Sequence, residues 1–485
     1  MLKTTLRLGT AVVIFAWFSP SFAAVPVEER IARIENGLLP RVAIQGQSIP
    51  ALKIADRMAT LKVPGVSVAV FNNGAIEWAR AYGVAEAGSE RKVTTETLFQ
   101  AASVSKPVAA MAALRLVEQG KLSLDQPVNN YLGPWKLPKG AQTKDHPVTL
   151  RNLLNHSAGT TVHGFRGYAA GEPVPTLTEL LDGKKPANSD AVRVAKKPDS
   201  EWNYSGGGIS IAQLMMNTAS GQPFATLMHD TVLAPLDMKH STFAQPLPPA
   251  LQAAAASGHD GAGVPIKGKW HSYPEQAAAG LWTTPSDLAL FAIELHKASK
   301  GKSDKVLTPA MAKTMLTRLK GDYGLGMFVE TPEGRPMFNH GGTNVGFQAM
   351  LIAFNDNGQG AVVMSNGDNG QALNSDILRA ISAQYGWTDF RVTYKALAKV
   401  DPAVFASYAG NYAVRNTTIV VTREGTRLFV KAAPLGPDRH ELLPTSATSY
   451  FTLTDRAEFS FEKAAGGKFD LVIQLGDTFR AKRVK

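Results

Sequence analysis

Among the 485 residues there is no cysteine, so thiol catalysis, thiolate metal sites and disulfide staples are all excluded. A chain of this length, 44% hydrophobic and 19% charged, buries enough apolar surface to do without staples even in an oxidising compartment. Long apolar runs are scarce too. Beyond residue 23 no stretch approaches the roughly 20 residues that a membrane-spanning helix needs. The histidines show neither H-E-x-x-H spacing nor neighbouring carboxylate clusters, so no metal is expected. Gly206-Gly207-Gly208 comes without a Walker lysine or dinucleotide-binding spacing, and no G-x-S-x-G elbow is present. No cofactor is expected, an α/β-hydrolase is set aside, and no internal repeat is apparent.

What is present begins with an export pattern. Lys3 and Arg7 flank the start of an apolar run over residues 8–18, and Ser21-Phe22-Ala23 forms a small-x-small cleavage site. The run is too short to span a bilayer, so residues 1–23 read as a signal peptide and not as an anchor. The mature protein is expected to begin near Ala24, exported to the periplasm or secreted, with no transmembrane segment. The formal net charge is +11, or +9 without Lys3 and Arg7. Basic residues are scattered, in short pairs such as Lys184-Lys185 and Lys196-Lys197, with no aromatic-interleaved stripe. That favours a solvated basic surface near anionic cell-wall material over a nucleic-acid partner.

Residues 27–38 and 51–61 have helix-like apolar spacing. Residues 65–71 alternate around valines, Asn72-Asn73-Gly74 supplies a turn, and residues 75–82 follow as a second strand. A helix is expected to run to about Gln119 and stop at Gly120. Residues 347–354 and 361–365 form a later hairpin around a turn at 355–360. Helix-like stretches lie between the hairpins at 208–219, 224–233 and 285–297. This order predicts an α+β fold, an antiparallel sheet flanked by helices with an inserted helical region. From about residue 395 the composition shifts to short strands, at 418–422, 428–431, 450–454, 458–462, 469–474 and 478–482, which predicts a small C-terminal β-barrel or sandwich. The expected layout is a signal peptide over 1–23, a main domain over 24–394 and a β-barrel-like domain over 395–485. Residues 157–200 are loop-rich and too long for a passive connection, so they are expected to face the substrate.

Ser103-Val104-Ser105-Lys106 sets a serine three residues before a lysine, with Pro107 and an apolar helical run following. Positions i and i+3 share a helix face, which brings the Lys106 amine within reach of Ser103 Oγ. The helix N-terminus adds partial positive charge where an oxyanion would develop. Alone, such a pair is equally a surface helix end. Two more segments change that. Trp202-Asn203-Tyr204-Ser205-Gly206-Gly207-Gly208 carries a tyrosine into a glycine-rich turn before a helix. A nearby ammonium favours a phenolate, which equips Tyr204 as general base and acid, against the alternative of a core tyrosine with a bonded hydroxyl. Asn339-His340-Gly341-Gly342-Thr343 stands immediately before a strand-like run near 345–354. Small residues on an edge strand admit a substrate backbone, and an N–H there with that of Ser103 would form an oxyanion hole.

These segments, in this order and rough spacing, resemble the S-x-x-K, Y-x-N and K/H-x-G motifs of the serine penicillin-recognising enzymes. Phe99-Gln100-Ala101-Ala102 before Ser103 resembles the nucleophile segment of class C β-lactamases. Gly120-Lys121-Leu122-Ser123-Leu124-Asp125, Leu153-Leu154-Asn155-His156-Ser157-Ala158-Gly159 and Pro235-Leu236-Asp237-Met238 extend the likeness. So do Ala279-Gly280-Leu281-Trp282-Thr283-Thr284-Pro285-Ser286-Asp287-Leu288 and Tyr323-Gly324-Leu325-Gly326. The resemblance spans roughly residues 50–390. It points to the branch holding class C β-lactamases, DD-peptidases, D-aminopeptidases and family VIII-type esterases. The tail resembles the lipocalin-like domains appended to some relatives.

The resemblance implies Ser103 as the acylated nucleophile, Lys106 and Tyr204 as partners in proton transfer, and the Ser103 and Thr343 N–H groups as oxyanion donors. It sets His340, Gly341, Gly342 and Gly206 along the substrate site, with His340 holding either the Tyr204 charge or a substrate carboxylate. His156 is expected to support the site and not to act as a base. Two positions depart from the family. Gly206 stands where many relatives have an asparagine that bonds the substrate amide, a contact worth roughly 0.5–1.5 kcal/mol. His340 replaces lysine, so a charge there is expected to depend on pH near neutrality, with acid strengthening a carboxylate contact. The expected function is an exported serine hydrolase that cleaves a small ester or amide by way of an acyl-enzyme. A β-lactamase or DD-carboxypeptidase is the alternative within the family, and a non-catalytic cell-wall-binding module the alternative outside it. The tail is expected to bind wall polymer, to form subunit contacts or to cap the cleft.

Overall fold

The computed structural model describes residues 25–415, 417–432, 439–454, 457–464, 467–475 and 477–484. The signal peptide expected at residues 1–23 lies outside the described residues. Strands β1 (Gly65–Asn72), β2 (Ala75–Gly83), β3 (Phe328–Glu330), β4 (Met337–Asn344), β5 (Phe347–Phe354) and β6 (Gln359–Ser365) form one antiparallel sheet. Its order is β2-β1-β6-β5-β4-β3. The two ends of the main chain segment meet where β1 pairs with β6, Val66 opposite Ser365 and Phe71 opposite Gly360. The expected sheet built from two distant hairpins is therefore present.

The helices that position the site are α1 (Val27–Glu35), α2 (Ile54–Leu61), α3 (Ser105–Glu118), α4 (Gly206–Ser220), α5 (Gln276–Ala279), α6 (Pro285–Ser299) and α7 (Gly370–Tyr385). Helices α1, α2 and α7 cover one sheet face, where Ile31, Ile54, Met58 and Ile377 join Val66, Val68 and Val70 of β1. The alternate side chains of the sheet, among them Ala69, Phe71, Leu351 and Val362, turn to the opposite face and join the larger core. There α6 packs on the sheet, and α3, α4 and α5 pack on one another. With both faces covered, β1 is apolar at nearly every position and not only at alternate ones.

All ten residues of α3 from 105 to 114 are buried. A helix apolar around its whole circumference belongs at the centre of a core. The segment carrying Ser103 therefore enters at the end of a deeply enclosed helix, which holds its backbone in place.

Strands β7 (Gly410–Val414), β8 (Thr417–Glu424), β9 (Arg427–Lys431), β10 (His440–Glu441), β11 (Leu443–Pro444), β12 (Ser449–Phe451), β13 (Glu458–Lys463), β14 (Phe469–Leu475) and β15 (Asp477–Val484) make a separate antiparallel meander. It curls until β7 pairs with β15, Tyr412 opposite Arg483. The remaining gap falls between β10 and β11, two halves of a bent segment divided by Leu442, which pair with β9 and β12 respectively. The result is a nearly closed barrel around Tyr412, Ile419, Val430, Phe459 and Leu471. Two of its segments carry no clear strand pattern in the sequence. One opens on Gly410, and the other is broken by its bend and by Pro444, which has no N–H for a ladder. A parallel pairing of Thr393–Lys395 with Val42–Ile44 ties the approach to the barrel back to the main domain.

Candidate active site

Ser103 lies in a 3₁₀ turn (Ala102–Val104), and Lys106 lies in the first turn of α3. The expectation of one continuous helix is thus corrected by a turn, yet the geometry it implied is present. Lys106 Nζ donates to Ser103 Oγ at 2.8 Å and to the Ala278 carbonyl at 2.8 Å. Ala102, directly before the serine, has φ +49°. That left-handed backbone costs roughly 1–3 kcal/mol and survives only where packing imposes it. Ala102 is fully buried.

The Ala278 carbonyl belongs to α5, a single helical turn held on several sides. Gln213 Oε1 accepts from Ala277 N at 2.9 Å, and Asn344 Nδ2 donates to Ala279 O at 3.1 Å. The turn begins at Glu275, whose carboxyl is wholly buried with neither oxygen hydrogen-bonded among the described residues. Burial pushes Glu275 up from 4.5 to about 8, so it keeps its proton at neutral pH. Burial likewise pushes up the phenols of Tyr168 and Tyr273. Because the folded-state value is raised, the contribution to stability is complete below about pH 4.5 and is lost as pH rises through about 8. Glu275→Gln keeps the shape and removes the titration. Its stability relative to wild type is expected to rise by about 1.4 kcal/mol per pH unit across that interval. Thermal unfolding of both proteins at pH 5 and pH 8.5 measures this, and an equal difference at both would show that the carboxyl is not held protonated.

Tyr204 is placed by α4, whose cap is Ser205, its Oγ accepting from Gly208 N at 3.0 Å. The glycines expected in a turn are instead the first residues of that helix. The Tyr204 ring faces the Lys106 ammonium, with Nζ 5.0 Å from the ring centroid. His156 and His163 pack on the same ring at centroid distances of 4.3 and 4.9 Å. His156 Nδ1 accepts from the N–H of Ser205 at 3.2 Å, which makes it a support for the tyrosine's own backbone, as expected. The Tyr204 hydroxyl has no protein hydrogen bond among the described residues, and Tyr204 lines the open cleft.

The His340–Gly342 segment lies within β4 itself, separated from β5 by the turn at Val345 and Gly346. Strand β3 ends opposite Asn339, so residues 340–344 form a bare edge on that side, and alternate N–H groups point away from β5. This edge runs against the Ser103 segment. A Cβ placed on Gly342 would stand 2.2 Å from Ala101 O and 3.1 Å from Ser103 N. Only glycine admits that approach. Gly341 has ordinary room, and Thr343 Oγ1 donates to Gln348 Oε1 at 2.8 Å.

His340 corrects an expectation. Its Nδ1 lies 2.6 Å from Gly341 O and its Nε2 lies 3.1 Å from the Tyr323 hydroxyl. A ring nitrogen facing a carbonyl must carry the proton, so Nδ1–H donates and Nε2 accepts from the tyrosine. Burial first, and then the Lys106 ammonium, lower its pKa to about 3. His340 is therefore neutral through the physiological range, and it is not a pH-dependent cation for a carboxylate.

The structure brings Ser103, Lys106, Tyr204, Gly206, His340, Gly341, Gly342 and Thr343 into one cleft. Phe165 and His163 of the 157–200 segment line it as well, as the length of that segment implied. Among the described residues, those that line the cleft end at Phe390. The Ala278 carbonyl, Tyr323 and Phe165 were not singled out in the sequence for roles here. A backbone carbonyl leaves no sequence signal, whereas Tyr323 stands inside a segment that already resembled the family.

The Beta-lactamase family model matches residues 51–385. The chain is 24% identical over 453 residues to Penicillin-binding protein 4* of Bacillus subtilis (strain 168), covering 86% of this chain and 95% of that protein. It is 29% identical over 212 residues to Esterase EstB of Burkholderia gladioli, covering 42% of this chain and 53% of the esterase. The octameric penicillin-binding protein homologue from Pyrococcus abyssi shares the fold, with a TM-score of 0.60 at 20% identity over 88% of this chain and 98% of that one. With the family match spanning most of the chain, and the serine and lysine of its S-x-x-K segment in hydrogen-bonding contact, this protein belongs to the β-lactamase family and is a serine hydrolase.

Proposed function

We propose that the protein is an exported esterase that hydrolyses small neutral esters through an acyl-enzyme on Ser103. The observation that carries this reading is the 2.8 Å contact between Lys106 Nζ and Ser103 Oγ at the floor of the cleft. Ser103 Oγ attacks the ester carbonyl carbon while its proton passes to the Lys106–Tyr204 pair. Tyr204, whose hydroxyl is free to meet a ligand, protonates the departing alkoxide. The N–H groups of Ser103 and Thr343 receive the developing oxyanion, and such a donor is worth about 10²–10³-fold in rate. Water then enters by the reverse proton path and releases the acid.

Two features favour esters over β-lactams and peptides. Gly206 offers no side-chain donor to a substrate amide. His340 is neutral with both ring nitrogens engaged, so it cannot pair with the carboxylate that β-lactams and peptide C-termini carry. The similarity to Esterase EstB supports the same reading. The basic start and apolar run of residues 1–18 support export, with the hydrolase body expected over residues 24–394 and the barrel over 395–485.

The test compares kcat/KM for p-nitrophenyl butyrate with those for nitrocefin and an acyl-D-Ala-D-Ala peptide. The ester is expected to lead each by about 10²-fold, near the factor that two lost polar contacts of 1–1.5 kcal/mol each supply. Faster turnover of either carboxylate-bearing substrate would move the assignment to that class.

A further inference from the structure

The residue after Ser205 has no side chain, and the structure shows what fills the space. A Cβ built on Gly206 would stand 2.9 Å from Phe165 Cε2, 3.3 Å from Phe165 Cδ2 and 3.2 Å from His163 O. Any larger side chain at 206 would have to displace that ring. Phe165 lines the cleft with Ser103, Lys106, Tyr204 and Gly206, and it also packs against the main core.

The ring is held from both directions along the chain. On its N-terminal side, Gly206 N donates to His163 O at 3.0 Å and Gly207 N donates to Val162 O at 3.0 Å. Ser205 Oγ adds a bond to Thr161 O at 2.7 Å. Val162 has φ +63°, a costly conformation for a β-branched residue that these bonds hold in place. On the C-terminal side, Tyr168 exchanges two backbone bonds of 2.8 Å with Ser272, and the Tyr273 hydroxyl donates to Arg166 O at 3.3 Å. The backbone on both sides of Phe165 is thus tied into the fold, which sets its ring as a wall of the cleft. The Gly206 N–H is also spent on His163, so position 206 offers a substrate neither a side-chain nor a backbone donor.

We infer that Phe165 is a specificity-determining residue of this cleft: it occupies the space of a side chain at 206 and presents an apolar face to the substrate acyl group. Acyl chains are then chosen by apolar contact. A polar amide set against the ring would lose its water without gaining a partner. The inference rests on the esterase reading and names the acyl class that reading left open.

The experiment uses two acyl groups of equal chain length, one apolar and one carrying an amide. Wild type is expected to hydrolyse p-nitrophenyl pentanoate with a kcat/KM at least about tenfold above that for N-acetylglycine p-nitrophenyl ester. Phe165→Ala should shrink that ratio about tenfold, and Phe165→Leu, which keeps an apolar wall, should largely preserve it. The same comparison is made by binding, with butylboronic and acetamidomethylboronic acids, which add reversibly to a serine oxygen and need no turnover. A wild-type preference for the amide-bearing acyl group would overturn the inference whether or not the variants fold. So would a Phe165→Ala protein in which both rates fall together at an unchanged ratio, because a merely structural ring would do that. Failure of the esterase reading is distinct: neither ester would be hydrolysed, while the boronic acids would still report the acyl preference.

Discussion

Ser103→Ala is expected to lower kcat for p-nitrophenyl butyrate by at least about 10⁴-fold, to the background of the solvent reaction, while the protein remains folded. In the proposed mechanism the removed atom is the one that forms the acyl bond, and the neighbouring serine cannot substitute. Ser105, the first residue of α3, is fully buried and accepts from Leu281 N at 3.0 Å. Stability should change little. Lys106 loses one of its two hydrogen bonds but keeps the Ala278 carbonyl, a difference of roughly 0.5–1.5 kcal/mol. The check is hydrolysis by both proteins beside their melting temperatures. A small fluorophosphonate should add to wild type at Ser103 and leave the variant unlabelled. Turnover retained by a folded Ser103→Ala protein would place the nucleophile elsewhere.

Tyr204→Phe should cut turnover by about 10²–10⁴-fold, the usual worth of a positioned proton donor and acceptor. The substitution isolates the hydroxyl. Phenylalanine preserves the ring that faces Lys106 at 5.0 Å and packs on His156 and His163, so the loss reads the proton path and not the packing. Burst kinetics would separate the two half-reactions, because the same hydroxyl serves the leaving alkoxide and the entering water. Any inflection in the wild-type rate between pH 5 and 8 should not come from His340, which is neutral above about pH 3. Wild-type rates in Tyr204→Phe would take the tyrosine out of the mechanism and leave Lys106 as the sole proton carrier.

The strongest local signals in the chain are also the ones that held their meaning in three dimensions. The Asn72-Asn73-Gly74 turn between β1 and β2 needs only local backbone preferences, and Asn73 and Gly74 do take positive φ. The same holds for the end of α3 near Gly120 and for the Ser103–Lys106 pair, whose contact follows from the geometry of a single helical turn. Other boundaries differ by a few residues from the local pattern where tertiary contact decided the outcome. The glycines after Tyr204 became helix because Val162 and His163 carbonyls accept their N–H groups. The His340–Gly342 segment became strand because β5 and the nucleophile backbone both needed it there.

Residue identity and spacing by themselves determined the serine–lysine pair, the family and the α+β plan with a β-rich tail. Each of these is written in short windows or in the order of the windows. Only the tertiary structure decided what surrounds them. The neutrality of His340 depends on burial and on the sequence-distant Lys106, and the space at Gly206 is filled by a phenylalanine 41 positions earlier in the chain. Charge state and cavity shape are sums over neighbours brought together by folding, and a sequence window does not contain those neighbours.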